Sequence, residues 1–191
     1  SESGINISLP AGSGNGTDWL DEIFESAPMQ KHHLSFSGGN DRSSYLTSAS
    51  YVNQDGVVGG SSASYERFTF RLNGTHKVKE WLEVGNTLSF SHSNRRSIGE
   101  DDEYRGILNN ALLIDPVTPV KYAKGSEPQR ITDLVNEGQT ILQDEQGRYY
   151  ALPLYVTGET GNPVALLQTY KGKFTQDKLL STFYGTIKPI K

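Results

Sequence analysis

Several stretches of the chain alternate between apolar and polar residues, and this pattern limits the possible fold more than any other feature. In the clearest one, Phe68, Phe70 and Leu72 alternate with the polar residues of the segment Arg67–Leu72. A period of two places successive side chains on opposite faces of a β-strand. Similar runs occur at 34–36, 45–51, 82–90 and 179–187. The sequence therefore predicts an all-β fold of antiparallel strands, each with one apolar face.

The alternation stops between Asn94 and Phe174. Within this interval we predict one short helix, near 101–114, because acidic residues occupy its first turn and Pro116 follows its end. A connection this long is normally functional or disordered. The predicted division is a flexible lead-in at 1–17, the first strands at 18–94, a long loop at 95–173 and a further strand at 174–191.

Composition excludes several classes of protein. The chain has no cysteine, so it forms neither disulfides nor thiolate metal sites. Its 18 basic and 22 acidic residues give a formal net charge of -4. Without a basic stripe, this balance argues against a nucleic-acid partner. No apolar run reaches the roughly 18 residues of a membrane-spanning helix, although alternating strands of about 9–11 residues span membranes in barrels.

No arrangement of residues predicts an enzyme or a cofactor. The adjacent His32 and His33 face opposite sides of a strand, so they are not expected to bind one metal ion. The acidic run Glu100–Glu103 offers oxygen ligands for Ca²⁺, but its spacing is not that of an EF-hand loop, and a solvated helix start is the preferred interpretation. We find no nucleophile elbow and no acid/base pair, so no catalytic residue is predicted.

Two architectures share strands of this kind. A soluble sandwich buries its apolar faces, whereas a membrane barrel turns them to lipid and lines a wet lumen with polar groups. Three features favour the barrel. The polar faces mix small and charged residues, and short connections alternate with long ones, including a long one at 53–64. Aromatic residues also lie near predicted strand ends, namely Trp81, Tyr51 and Tyr65. The lipid-facing candidates are Phe68, Phe70, Leu72, Leu82, Val84, Leu88 and Phe90.

Collinear blocks of the sequence resemble one family specifically, the SusC/RagA-type TonB-dependent outer-membrane transporters, at the start of their barrel. The blocks are GTDWLDEIF at 16–24, APMQ at 27–30, HLSFSGGN at 33–40, YVNQDGVV at 51–58, YERFTFRLN at 65–73, VKEWLEVGN at 78–86, AL at 111–112, DPVTPV at 115–120 and NP at 162–163. The resemblance covers most of the chain from Gly16 onwards.

This resemblance implies part of a barrel of about 22 strands with a plugged lumen, in the outer membrane of Bacteroidetes-type bacteria. Members of the family import glycans, oligosaccharides or peptides, are energised through the TonB complex and are capped by a SusD-like surface lipoprotein. The expected partners are therefore these proteins, the substrate and outer-membrane lipid. We expect the plug and the TonB-contacting region to lie outside this chain, and the chain alone not to transport.

The long loop is rich in tyrosine, and aromatic faces stack on sugars and peptide groups. We therefore identify four candidates for substrate contact, Tyr104, Tyr122, Tyr149 and Tyr150. The alternative for each is that it packs the loop on itself. The alternative function for the whole chain is a soluble β-sandwich that binds carbohydrate through surface tyrosines, with the apolar faces as its core.

Overall fold

The computed structural model describes residues 16–99, 106–156, 160–169 and 172–188. They form two compact units. The sheet unit is built from the described residues of 26–97 and 172–191. The loop unit is built from those of 1–25 and 98–171.

The sheet unit is one antiparallel sheet whose strands follow each other in chain order. The strands are β1 (Met29–Gly39), β2 (Ser43–Gly56), β3 (Gly60–Lys79), β4 (Leu82–Ser97) and β5 (Gly172–Ile187). The sheet is open, with β1 and β5 at its edges. The predicted all-β, antiparallel architecture of a partial barrel is confirmed.

Three of the four connections in the sheet are short, and only the one between β4 and β5 is long. The long break expected at 53–64 is wrong, because β2 continues to Gly56 and β3 begins at Gly60. Polar side chains at strand ends do not interrupt backbone pairing, so composition misplaced this boundary. The turn uses Gly59, whose φ of 73° is readily accessible to glycine.

Two tyrosines lie over glycines on the neighbouring strand. Gly38 pairs with Tyr45 across β1 and β2, and Gly85 pairs with Tyr184 across β4 and β5. A Cβ atom added to either glycine would overlap the facing tyrosine ring. Each tyrosine thus covers the gap that a residue without a side chain leaves in the sheet.

Four short helices occur in the described part of the loop unit. They are α1 (Trp19–Ile23), α2 (Ile107–Leu113), α3 (Gln129–Asn136) and α4 (Pro163–Thr169). The helix predicted near 101–114 is present from Ile107, and the start of that range lies outside the described residues. Helices α3 and α4 were not predicted, although Ile131, Leu134 and Val135 of α3 have the i, i+3, i+4 spacing of a helical apolar face.

Apolar packing holds the loop unit together. Helix α1 packs on α2 and α4, with Trp19, Ile23 and Ile107 buried. A second cluster surrounds Ile131 and Ala151. In α2, Leu108 and Leu112 are exposed, at 45% and 63%.

Among the described residues, no helix combines the length and the apolar character needed to cross a membrane.

Candidate functional site

The register of the sheet unit separates one apolar face from one polar face. Residues paired across antiparallel strands lie on the same face, so the register defines rows that cross all five strands. The two central rows of the apolar face are Leu34–Ala49–Phe70–Phe90–Leu179 and Phe36–Thr47–Leu72–Leu88–Ser181. These rows form a continuous apolar surface, which we call the apolar band.

The predicted lipid-facing residues lie on this face. The strand register gives all seven of them a position on the face of the apolar band: Phe68, Phe70, Leu72, Leu82, Val84, Leu88 and Phe90. Much of the face is uncovered, since Leu179 is 68% exposed and Phe183 is 80% exposed. An apolar surface of this extent marks a contact with another apolar phase or protein. Lipid contact itself stays a prediction.

Polar pairs mark both ends of the apolar band. At the end nearer the β2–β3 turn, the Tyr51 hydroxyl donates to Glu66 over 2.9 Å, and His92 Nδ1 lies 2.6 Å from Asp177 Oδ1. At the other end, Ser43 Oγ lies 2.7 Å from His76 Nδ1. The apolar surface is therefore bounded along the strands as well as confined to one face.

The predicted girdle of aromatic residues is only partly in place. Trp81 lies in the β3–β4 turn, as expected for a strand end. Tyr51 lies inside β2, because that strand runs on to Gly56. Tyr65 has the register position of the polar face, and its ring centroid lies 5.9 Å from the guanidinium carbon of Arg67. Because β2 ends at Gly56 and β3 begins at Gly60, neither Tyr51 nor Tyr65 lies at the end of its strand.

The polar face carries hydroxyl groups and cations. Its central rows are His33–Ser50–Thr69–Ser91–Lys178 and Ser35–Ser48–Arg71–Ser89–Leu180, beside Lys31 and Arg67 of the next row. Except for Ser35, these residues line a concavity of about 590 Å³. The alternation of these residues is evident in the sequence, but it does not show that they form one site.

Asp115 organises the centre of the loop unit. Its Oδ1 accepts from the backbone and hydroxyl of Thr118, over 2.8 and 2.7 Å. Its Oδ2 accepts from the backbone of Leu154 and Tyr155, both over 3.1 Å. Burial alone would raise the pKa of Asp115, but the hydrogen bonds from Thr118, Tyr155 and Leu154 outweigh it and hold the pKa below its ordinary value.

The segment that begins at Asp115 also forms hydrogen bonds with the start of the described chain. Thr17 donates its backbone N–H to Pro116 O over 2.7 Å and its hydroxyl to Thr118 O over 2.8 Å. Trp19 Nε1 donates to Asp115 O over 3.0 Å. The predicted flexible lead-in at 1–17 is therefore wrong for Thr17, and residues 1–15 of it lie outside the described residues.

A buried amide joins three parts of the loop unit. Asn162 is 4% exposed, and its Nδ2 donates to Val120 O and Ala151 O over 2.8 and 3.0 Å. Its Oδ1 accepts from the backbone of Val164 and Ala165 at the start of α4. This one side chain therefore caps α4 and holds the loop segments at Val120 and Ala151 in place.

Asp144 pairs with two cationic side chains. Its Oδ2 lies 3.1 Å from Lys121 Nζ and 2.7 Å from Arg148 Nη2. Its Oδ1 accepts from the backbone of Gln146 and Arg148. Although burial opposes ionisation, these donors and the charge of Arg148 hold the pKa of Asp144 far below its ordinary value.

The depressed pKa values of Asp115 and Asp144 predict that acid destabilises the loop unit. A carboxyl whose pKa is lower when folded adds stability above its unfolded pKa, 3.8, and loses it as pH falls towards the folded value. Unfolding of the loop unit can be followed through the fluorescence of Trp19 in a Trp81→Phe background. We expect the denaturant concentration at the unfolding midpoint to be nearly constant between pH 7 and 5, and to fall below about pH 4. Asp144→Asn should flatten this dependence; an unchanged acid profile would contradict the assignment.

The structure places three of the four candidate tyrosines inside the loop unit. Tyr122 and Tyr150 are 8% and 6% exposed, and Tyr149 packs on the cluster around Ile131. Burial raises the pKa of the Tyr122 hydroxyl. Tyr104 lies outside the described residues. These positions correspond to the packing alternative, and substrate contact by the four residues stays a prediction.

No group of three or more acidic or histidine side chains suited to a metal ion occurs in the described part of the chain. The acidic run Glu100–Glu103, named above for Ca²⁺, lies outside that part.

The chain is similar in sequence to several TonB-dependent receptors, although no protein-family model matches it. It is 23% identical over 90% of its length to TonB-dependent receptor P26 of Formosa agariphila. It is 34% identical over 58% of its length to TonB-dependent receptor P3 of that organism, and 31% identical over 59% to TonB-dependent receptor SusC of Bacteroides thetaiotaomicron. The aligned segments span 14%, 11% and 11% of these relatives.

The fold is similar to solved structures of a peptide importer. The RagAB importer in its closed-closed state superposes over 93% of this chain and 18% of the importer chain, with a TM-score of 0.60 and 23% identity. Its open-open state superposes over 92% and 17%, with a TM-score of 0.56 and 25% identity. These names describe receptors and an importer rather than enzymes. The expected resemblance is therefore confirmed: in sequence and in fold, this chain is similar to a barrel segment of the SusC/RagA-type TonB-dependent transporters.

Proposed function

We propose that this chain forms adjacent strands in the wall of an outer-membrane barrel that imports oligosaccharides or peptides. The observation that carries the proposal is the two-faced sheet, whose apolar band is exposed while hydroxyl groups and cations cover the opposite face. In a membrane barrel the first face contacts lipid and the second lines the lumen.

The height of the apolar band supports a membrane-spanning role. On the apolar side of β3, the polar residues Glu66 and His76 flank the apolar ones. Between them the strand rises about 34 Å at ~3.4 Å per residue. A tilt of about 45° reduces this rise to about 24 Å across the membrane. Outer-membrane barrels present an apolar band of about 25 Å.

The connections support one orientation. The β1–β2 and β3–β4 turns are short and lie at one end of the sheet, which we assign to the periplasm. The segment between β4 and β5 leaves from the opposite end and contributes most of the loop unit, and we assign this segment to the cell exterior. There it would meet substrate and a SusD-like lipoprotein, while energy would come from the TonB complex.

The soluble carbohydrate-binding module is less well supported. A sandwich needs a second sheet over the apolar band. The named strands among the described residues form a single sheet, and large apolar side chains on it are exposed.

Cell fractionation tests the proposal. An antibody against this chain should detect a protein several times heavier than 21.0 kDa in the outer-membrane fraction, since the chain spans 14% or less of the relatives named above. Deleting the gene should abolish uptake of the transported oligomer. Detection of the protein in the soluble fraction would contradict the proposal.

A further inference from the structure

The polar face of the sheet unit concentrates positive charge. Five side chains, Lys31, His33, Arg67, Arg71 and Lys178, lie around one concavity and are exposed. None of them forms an ion pair with a carboxylate among the described residues. The lysine and arginine side chains, four of the five, carry a full positive charge at neutral pH.

Carboxylates are distant from this concavity on the same face. Glu66 and Asp177 have the register position of the apolar face. Glu83 has that of the polar face, but it lies six residues along β4 from Ser89, about 20 Å at ~3.4 Å per residue, and Lys188 approaches it to 3.8 Å. The positive field of the concavity is therefore not neutralised locally.

The side chains between the cations are small and polar. Ser48, Ser50, Thr69, Ser89 and Ser91 line the concavity, and Leu180 is the only apolar side chain in its lining. Small hydroxyl groups leave the cations accessible and supply further hydrogen bonds. This composition suits a hydrated ligand that carries oxyanions.

We propose that this concavity binds an extended anionic oligomer, in which several sugar or peptide units carry carboxylate or sulfate groups. The inference rests on the proposed transport function and narrows its substrate class to anionic cargo. The arginine pair Arg67 and Arg71 would contribute most, because a guanidinium binds a planar or tetrahedral oxyanion through two parallel hydrogen bonds. Lys31 and Lys178, on the strands at the edges, would extend contact across the sheet.

Binding to the purified chain tests this inference separately from transport. The full chain in nonionic detergent would be titrated with fluorescent dextran sulfate, with fluorescent polyglutamate, and with neutral dextran of the same length. We expect at least one of the two anions to bind, more weakly as salt is added, and neutral dextran not to bind. The tighter anion identifies sugar or peptide as the carrier of the charge.

Two variants with equal loss of charge make the test specific. Arg67→Gln with Arg71→Gln should weaken anion binding by about tenfold or more, because each charged hydrogen bond lost is worth about a factor of ten. Lys77→Gln with Lys79→Gln, at the far end of β3, should leave binding within about twofold. Circular dichroism would verify that both variants keep the β-sheet.

Three results would overturn the inference: no anion binds, neutral dextran binds equally well, or both variants weaken binding equally. The proposed transport function is judged by the outer-membrane fraction and by uptake, so it can survive the failure of this inference.

Discussion

Replacing Leu88 with arginine is expected to remove most of the protein from the outer membrane. Leu88 lies in a central row of the apolar band, between Leu72 and Ser181. Placing an arginine on the lipid face near the bilayer midplane costs about 2–4 kcal/mol. That cost lowers the equilibrium constant for insertion by a factor of about 30 to 1,000. Immunoblotting of outer-membrane fractions from cells that carry the substitution in the full-length gene measures the loss.

The neighbouring Thr87 provides the matched control. It lies on the polar face, between Asn73 and Thr182, and Thr87→Arg introduces the same charge into the same strand. This variant should accumulate in the outer membrane at near-normal levels, because its side chain would reach water. Equal amounts of the two variants would refute the assignment of the two faces.

Replacing Asn162 with alanine is expected to destabilise the loop unit by about 2–4 kcal/mol, combining the loss of a helix cap with that of buried hydrogen bonds. Its side chain makes four hydrogen bonds, to Val120 O, Ala151 O and the first backbone N–H groups of α4. Urea unfolding followed through the buried Trp19, in the Trp81→Phe background, measures the change.

Asn162→Asp separates the two roles of this side chain. A carboxylate still accepts from Val164 and Ala165, but it donates nothing to Val120 O and Ala151 O. We expect this variant also to be destabilised, because the negative charge would face two carbonyl oxygens in a buried position. If the aspartate variant were as stable as the original protein, the cap alone would explain the role of Asn162.

The two faces of the sheet could be predicted because they depend on local geometry. A strand directs alternate side chains to opposite sides whatever its partners are, so the period of two at Phe68–Leu72 was sufficient. The ends of the strands could not be predicted from the same pattern. Backbone pairing continues through Asn53–Gly56, where composition predicted a break.

The contacts within the loop unit were beyond the reach of local patterns. Asp115 accepts hydrogen bonds from residues 39 and 40 positions away, and Asn162 donates to one 42 positions away. Both residues belong to blocks that resemble the transporter family, but the resemblance did not indicate what either side chain does. The structure supplies a role in folding for both.

The cations of the polar face are likewise separated in the sequence. Lys31, Arg67 and Lys178 lie on three strands, and only the register brings them to one concavity. Each alone resembles an ordinary solvated side chain. Tyr122 and Tyr149 show the opposite case, since they belong to a group of tyrosines that is evident in the sequence, and they pack in the cluster around Ile131.

The assignment of the apolar band to lipid is tested most directly by spin labels along β3. The chain has no cysteine, so a cysteine introduced at each position from 67 to 72 is the only thiol that this chain contributes. In the full-length protein in bilayers, labels at 68, 70 and 72 should be reached by oxygen dissolved in lipid. Labels at 67, 69 and 71 should be reached by a water-soluble nickel complex. If labels at 68, 70 and 72 were immobile and protected from both reagents, the apolar face would be a packed protein core, and the membrane account would be wrong.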